Sequence, residues 1–259
     1  MDLLIVADPD DSLAVSFSEF VKSSGINVAR LSLIEASKIF TIEINRCGTN
    51  VYPEVPQFIR IPSLPIQRKS FDSEFYYGEC FATLWATAAF TKSPVVNRPS
   101  TQGLFGNWTS SALITENQLN INTGRFEAFS RKPQASFENY GLWIQDLSTW
   151  LVEESPNIPN GTGPYRYRPA IHSGGYEFVT VVGDSAWRAT SKNLEGISLE
   201  AESIAIIKKL NLTFGVVIWS ISSSLDEVFL VKVEPFPQMS LVQFNWSDVQ
   251  KSLLKILLT

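Results

Sequence analysis

The chain has 259 residues, 44% of them hydrophobic and 18% charged, which is enough apolar material for a core in one large domain or two small ones. Its 17 Phe, 7 Tyr and 7 Trp exclude a largely disordered chain. A net charge of −5 removes any chain-wide attraction to nucleic acid or anionic membrane. Two cysteines and one histidine exclude a disulfide framework, a cysteine zinc site and any mechanism that needs two imidazoles.

The elements follow in order. Leu3–Ala7 is a short apolar run without a basic flank, so it reads as a buried strand rather than a signal peptide. No stretch approaches the ~20 apolar residues of a spanning helix, and a cytoplasmic location is expected, with Cys47 and Cys80 as reduced, buried thiols. Asp8, Asp10, Asp11 and Ser12 form a turn and helix-capping cluster. Leu13, Phe17, Phe20 and Val21 then recur at helical spacing up to Gly25, a C-terminal cap. Asn27–Leu31 is a second strand, which makes a parallel strand–helix–strand unit. Phe40–Arg46 and Phe58–Ile61 are strand-like. A long helix from Asp72 to Lys92 carries Phe75, Cys80, Phe81, Leu84, Trp85, Ala88 and Ala89 on its apolar side. Pro94–Asn97 is a short strand ending in a loop.

In the middle, Ala112–Asn120 and Arg125–Phe129 are spaced to pair as a hairpin, and Tyr140–Val152 is helix or strand. Residues 156–164 are a loop by composition. Tyr176–Val182 is a strand turning at Gly183 and Asp184 into Ser185–Thr190. Ser198 caps a helix with Ala201, Ile204, Ile207 and Leu210 on one side. Phe214–Ile221 and Val228–Val233 are strong strands around Ser222–Glu227, and Ser247 starts a final amphipathic helix.

Three segments in this order carry a resemblance. Val179-Thr180-Val181-Val182-Gly183-Asp184, then Leu210–Val217, then Phe229-Leu230-Val231-Lys232-Val233-Glu234-Pro235 resemble the C-terminal part of ATP-grasp ligases. Pro94-Val95-Val96-Asn97-Arg98-Pro99 is similar to the hydrophobic-hydrophobic-Asn-x-Pro loop that ends the first domain of that family. Within the family, the chain is most similar to the graspetide or microviridin-type ligases that crosslink ribosomal peptides, and to crocagin-type peptide-binding proteins. The resemblance implies an α/β, ATP-grasp-like fold. Residues 1–99 would be an N-terminal open α/β domain, residues 100–165 a shortened middle segment of hairpin and loops, and residues 166–259 a C-terminal α+β domain with an antiparallel sheet.

The departures from the pattern bear on chemistry. ATP-grasp ligases make an acyl phosphate, which needs Mg²⁺ on the ATP phosphates and therefore oxygen ligands. The family's metal acid falls on Lys232, the acid of the preceding strand falls near Ile218 and Trp219, and the arginine falls on Phe178. The family's Asn falls on Glu234, and the phosphate lysine expected after Asn97 is missing between Pro99 and Gly124. No catalytic residue, metal ligand or cofactor is therefore assigned. His172, Ser173-Gly174-Gly175, Gly103-x-x-Gly106 and the Glu153-Glu154 pair read as loop, turn and solvated surface.

One cluster stands apart: Tyr165, Arg166, Tyr167 and Arg168, where strand alternation puts tyrosines on one face and arginines on the other. Such a strand can present rings and charge to a peptide, with Trp108 and Trp187 as further candidates. The sequence thus predicts a cytoplasmic pseudoenzyme that binds a precursor or leader peptide, with other biosynthetic enzymes as further partners, as a homodimer. Two alternatives stand beside it. One is an active MgATP-dependent carboxylate–amine ligase with Glu234 and Asp226 or Glu227 as metal ligands; the other is a structural partner of an active ligase.

Overall fold

The computed structural model describes residues 1–61, 71–99, 128–132, 142–146, 152–154, 157–169, 175–190, 198–221 and 228–259. The N-terminal elements are β1 (Leu3–Val6), α1 (Ser12–Ser23), β2 (Val28–Leu31), α2 (Leu33–Ile39), β3 (Thr41–Asn45), β4 (Gly48–Tyr52), β5 (Gln57–Ile59), α3 (Phe71–Phe90) and β6 (Val95–Val96). A parallel sheet in the order β2-β1-β5-β6 forms their centre. Local chemistry sets the helix ends. Asp11 caps α1 by accepting from the Ala14 N–H at 3.0 Å. At its other end Gly25 takes φ +80°, the Ile26 N–H reaches the Val21 carbonyl and the Gly25 N–H reaches that of Lys22, a Schellman closure. Ser32 and Glu35 form a capping box on α2.

The sheet is buried on both faces. Leu4, Val6, Ile59 and Val95 pack against α2 and α3. Leu3, Ile5, Phe58 and Val96 join one core with α1, with Phe214 and Val216, and with Val249, Leu253 and Leu257 near the C-terminus. The first and last thirds of the chain therefore share a hydrophobic core.

Two expectations fail here. Cys47 is exposed, because it sits in the turn of the β3–β4 hairpin; Cys80 is buried as expected. Phe75 is 64% exposed, so the buried side of α3 begins at Cys80 and continues through Phe81, Leu84 and Ala88. A 20-residue helix runs about 30 Å, whereas strands of two to four residues span roughly 7–13 Å and cannot cover it all.

Gln57 is fully buried in β5, and among the described residues neither its side-chain amide nitrogen nor its oxygen has a partner. Burying an amide without partners costs about 1–3 kcal/mol, and methionine has a similar volume. Gln57→Met is expected to raise the free energy of unfolding by that order, and with it the denaturation midpoint. A lowered midpoint would show that the amide is satisfied by ordered water.

The middle sheet comprises β7 (Ala128–Ser130), β8 (Leu142–Asp146), β9 (Val152–Glu154) and β10 (Tyr165–Pro169) in the antiparallel order β7-β10-β8-β9. The domain boundary expected between residues 165 and 166 cuts β10, whose pairing belongs to this sheet. Asp146 is buried and accepts from the Gly163 N–H at 2.7 Å. Its carboxylate lies so near Gly161 that a Cβ there would overlap it, which fixes the path of the loop. The hairpin expected around Asn122–Gly124, Trp108, the His172 loop and Ser222–Glu227 lie outside the described residues, apart from β7 itself.

The last part contains β11 (Gly175–Val182), β12 (Ser185–Arg188), α4 (Leu199–Lys209), β13 (Phe214–Ile221), β14 (Val228–Glu234) and α5 (Trp246–Leu258), with a short helical turn at Met239–Val242 before α5. The antiparallel sheet runs β12-β11-β13-β14, with a bulge at Ile218/Trp219. Every residue of β13 is buried. One face packs Val179, Val181, Val217, Trp219 and Leu230 against Leu199, Ile206 and Ile207 of α4. Ala201 is exposed rather than part of that contact; Ser203 takes a buried place and accepts from the Trp219 indole at 2.9 Å. Among the described residues no helix is long and apolar enough to cross a membrane.

Candidate functional site

Opposed residues in an antiparallel pair share a face, so the register of the last sheet decides which side chains meet. Phe178 stands opposite Ile218, and Ile218 opposite Lys232. Phe178, Ile218 and Lys232, up to 54 residues apart in the sequence, therefore form one cross-strand row. The adjacent row is Trp187, Thr180, Val216 and Glu234. The row on the other side is Tyr176, Ser220 and Phe229. Phe178, Trp187 and Val231 are partly buried and pack towards α1 and α5 with Ile218, on the face opposite α4. Sequence reasoning singled out Phe178, Trp187, Lys232 and Glu234 separately. The fold gathers all four on this face.

The charges of the site close on themselves. Lys232 Nζ lies 3.0 Å from Glu234 Oε2, and Glu234 Oε1 accepts from the Phe236 N–H at 3.3 Å. Both carboxylate oxygens are thus engaged. The pair is partly solvated, so it adds at most about 1 kcal/mol to stability. Its effect on ligand chemistry is larger. A hard divalent cation needs several oxygens, and here a phenyl ring, a sec-butyl chain and an ammonium occupy the row. Among the described residues no group of three or more His, Cys, Asp or Glu side chains is placed to hold a metal ion. The side chains of Phe178, Ile218 and Lys232 themselves offer no oxygen ligand.

The loop after β6 does different work. Asn97 is buried, at φ +54°. Its side-chain oxygen accepts from the N–H groups of Thr213 and Phe214, both at 2.9 Å. Its amide nitrogen donates to the carbonyls of Phe214 at 2.8 Å and Pro235 at 3.2 Å. One side chain thereby ties β6 to the start of β13 and the end of β14. Arg98 next to it donates to the carbonyls of Ala88, Ala89, Thr91 and Ser93, closing the C-terminus of α3. A second tie, unforeseen from sequence, is the buried Arg60. Its Nε meets Asp11 at 2.7 Å and its Nη2 donates to the Pro237 carbonyl at 2.9 Å. Burial, with Asp10 and Asp11 adding to it, raises the Asp8 carboxyl above its ordinary value. Within the acidic cluster, Asp11 both caps α1 and pairs with Arg60.

The tyrosine–arginine strand behaves differently from the expectation. Alternation holds, but the tyrosine side is the inner one. Tyr165 is nearly buried and Tyr167 wholly so, packed with Ile144 and Ala128, and the Tyr165 hydroxyl donates to the Gly161 carbonyl at 2.7 Å. Rings so enclosed offer no face to a peptide. Arg166 is partly buried and stands opposite Phe129, which is 57% exposed. Arg168 stands opposite Trp143.

No family model and no curated relative matches the sequence. Solved structures do match. The macrocyclase MdnC of Microcystis aeruginosa MRC, bound with precursor peptide MdnA, superposes with a TM-score of 0.72 at 15% identity, covering 99% of this chain and 99% of that one. A Chryseobacterium gregarium RiPP-associated ATP-grasp ligase, in complex with ADP and a leader and core peptide, gives 0.68 at 11% identity over 99% and 96%. A RimK domain ATP-grasp protein of Sphaerobacter thermophilus DSM 20745 gives 0.65 at 14% identity over 100% of both chains. The chain has an ATP-grasp-like fold from end to end.

Proposed function

We propose that this protein binds a peptide on an ATP-grasp scaffold that has lost its nucleotide and metal ligands, and that it acts in making a ribosomally produced, modified peptide. The observation that carries the reading is the cross-strand row of Phe178, Ile218 and Lys232 beside an internally paired Glu234. The resemblance implies an arginine and two acids at these places. A phenyl ring, an aliphatic chain and a cation there supply none of those ligands, which argues against the forming of an acyl phosphate. Two of the structural neighbours were crystallised with precursor, leader or core peptides, which supports a peptide as the partner. Orienting a bound peptide is itself a contribution to chemistry performed on it by another enzyme.

The test is a random peptide display library panned against the purified protein, with and without MgATP. Convergence on a shared sequence in both arms is expected. No convergence, or convergence in the MgATP arm alone, would contradict the reading.

A further inference from the structure

The small sheet of β3 and β4 has an open side. Among the described residues β3 has no partner strand away from β4, and its residues are exposed apart from the partly buried Ile42. β4, by contrast, packs against α3 and buries Val51. Natural edge strands are commonly blunted by a bulge, a proline or a lysine. β3 has none of these. Thr41-Ile42-Glu43-Ile44-Asn45 pairs with β4 in unbroken register, and Glu43 is its one charged residue.

That register decides which backbone groups face outward. Asn45 and Gly48 flank a two-residue turn, so they form a hydrogen-bonded pair, and such pairs alternate along the ladder. Glu43 and Thr41 therefore direct their N–H and C=O groups to Asn50 and Tyr52. Those of Ile42 and Ile44 point to the open side. Side chains alternate between the two faces. Ile42 and Ile44 share one face, where Ile44 is 77% exposed, and Glu43 lies on the other.

From this edge we propose that β3 receives an extended peptide as a third, antiparallel strand, and that it selects an apolar, a basic and an apolar residue in succession. The two apolar residues stand opposite Ile42 and Ile44 and exchange N–H and C=O bonds with them. The basic residue stands opposite Glu43 in the closer, non-hydrogen-bonded pairing, about 4.5 Å between Cα atoms, where opposite charges attract. A second copy of this chain fits less well. The antiparallel pairing of β3 with β3 that overlaps the whole strand sets Glu43 against Glu43, and like charges directly opposite repel.

The inference rests on the peptide-binding reading above, and the test separates the two. Blocked heptapeptides N-acetyl-Thr-Thr-Val-X-Val-Thr-Thr-amide, with X as Lys or Glu, are titrated into the purified protein and followed by NMR. The Lys peptide is expected to bind about fivefold more tightly than the Glu peptide, the order for exchanging an opposite-charge cross-strand pair for a like-charge one. It should move the Ile42 and Ile44 amide signals most. In Glu43→Lys, at an exposed position, the preference should reverse. N-methylation of either valine removes an N–H that donates to β3 and should abolish binding, whereas N-methylation of the central lysine, whose N–H points away, should not. Equal binding of the two peptides, a preference for Lys that survives Glu43→Lys, or indifference to valine methylation overturns the proposal. So does a dimer in sedimentation that the Lys peptide disperses by competing for β3, since a second copy is then the occupant. If neither heptapeptide binds while panning selects a peptide that leaves the Ile42 and Ile44 signals unmoved, the edge falls and the peptide-binding reading stands. If panning selects none and neither heptapeptide binds, both fall.

Discussion

Asn97→Ala is expected to lower stability by roughly 3–5 kcal/mol, the order for breaking a buried, fully satisfied polar network. The substitution leaves the N–H groups of Thr213 and Phe214 and the carbonyls of Phe214 and Pro235 without the amide that joins them. It also places at φ +54° an alanine, which lacks the polar side chain that lets asparagine tolerate the left-handed conformation. Asn97→Gly separates the terms, because it removes the hydrogen bonds and not the backbone freedom. Denaturant unfolding should therefore rank the unaltered protein first, Asn97→Gly second and Asn97→Ala last. A loss under about 1 kcal/mol in both variants would show that the shared core, not the amide, joins β6 to the last sheet.

Tyr167→Ala should cost about 3–5 kcal/mol, as truncation of a wholly buried aromatic does. The ring has no exposed surface and belongs to the small core of the middle sheet. Phe129→Ala, on the adjacent strand and 57% exposed, should change stability by no more than about 0.5 kcal/mol. The contrast decides what the tyrosine–arginine strand is for. If Tyr167→Ala unfolds normally yet loses peptide, its ring is a recognition group and the packing described above is wrong.

Much of the fold was legible because apolar periodicity marks it directly. The all-buried β1 and β13, and α1 between the Asp11 cap and the Gly25 closure, stand where their patterns put them. Less legible was which side of an alternating strand faces inward. Tyr165/Tyr167 and Arg166/Arg168 alternate identically whether the rings point to a core or to a ligand, and only the pairing of β10 with β7 and β8 resolves it. Cys47 and Phe75 were misplaced for a related reason: a residue's burial depends on how far its neighbour extends, as with a long helix over short strands. The sequence singled out Phe178, Lys232 and Glu234 separately. That they share a face follows from strand register, which no local pattern encodes.

The central claim is that this ATP-grasp-like fold works without nucleotide, and calorimetric titration of MgATP into the purified protein tests it most directly. With Lys232 holding Glu234 and with Phe178 and Ile218 beside it, no saturable heat is expected at micromolar to low-millimolar MgATP, and the melting temperature should not rise, since a ligand that binds the folded state stabilises it by mass action. Mg²⁺-dependent ATP binding in the micromolar range would contradict the account and restore the ligase reading.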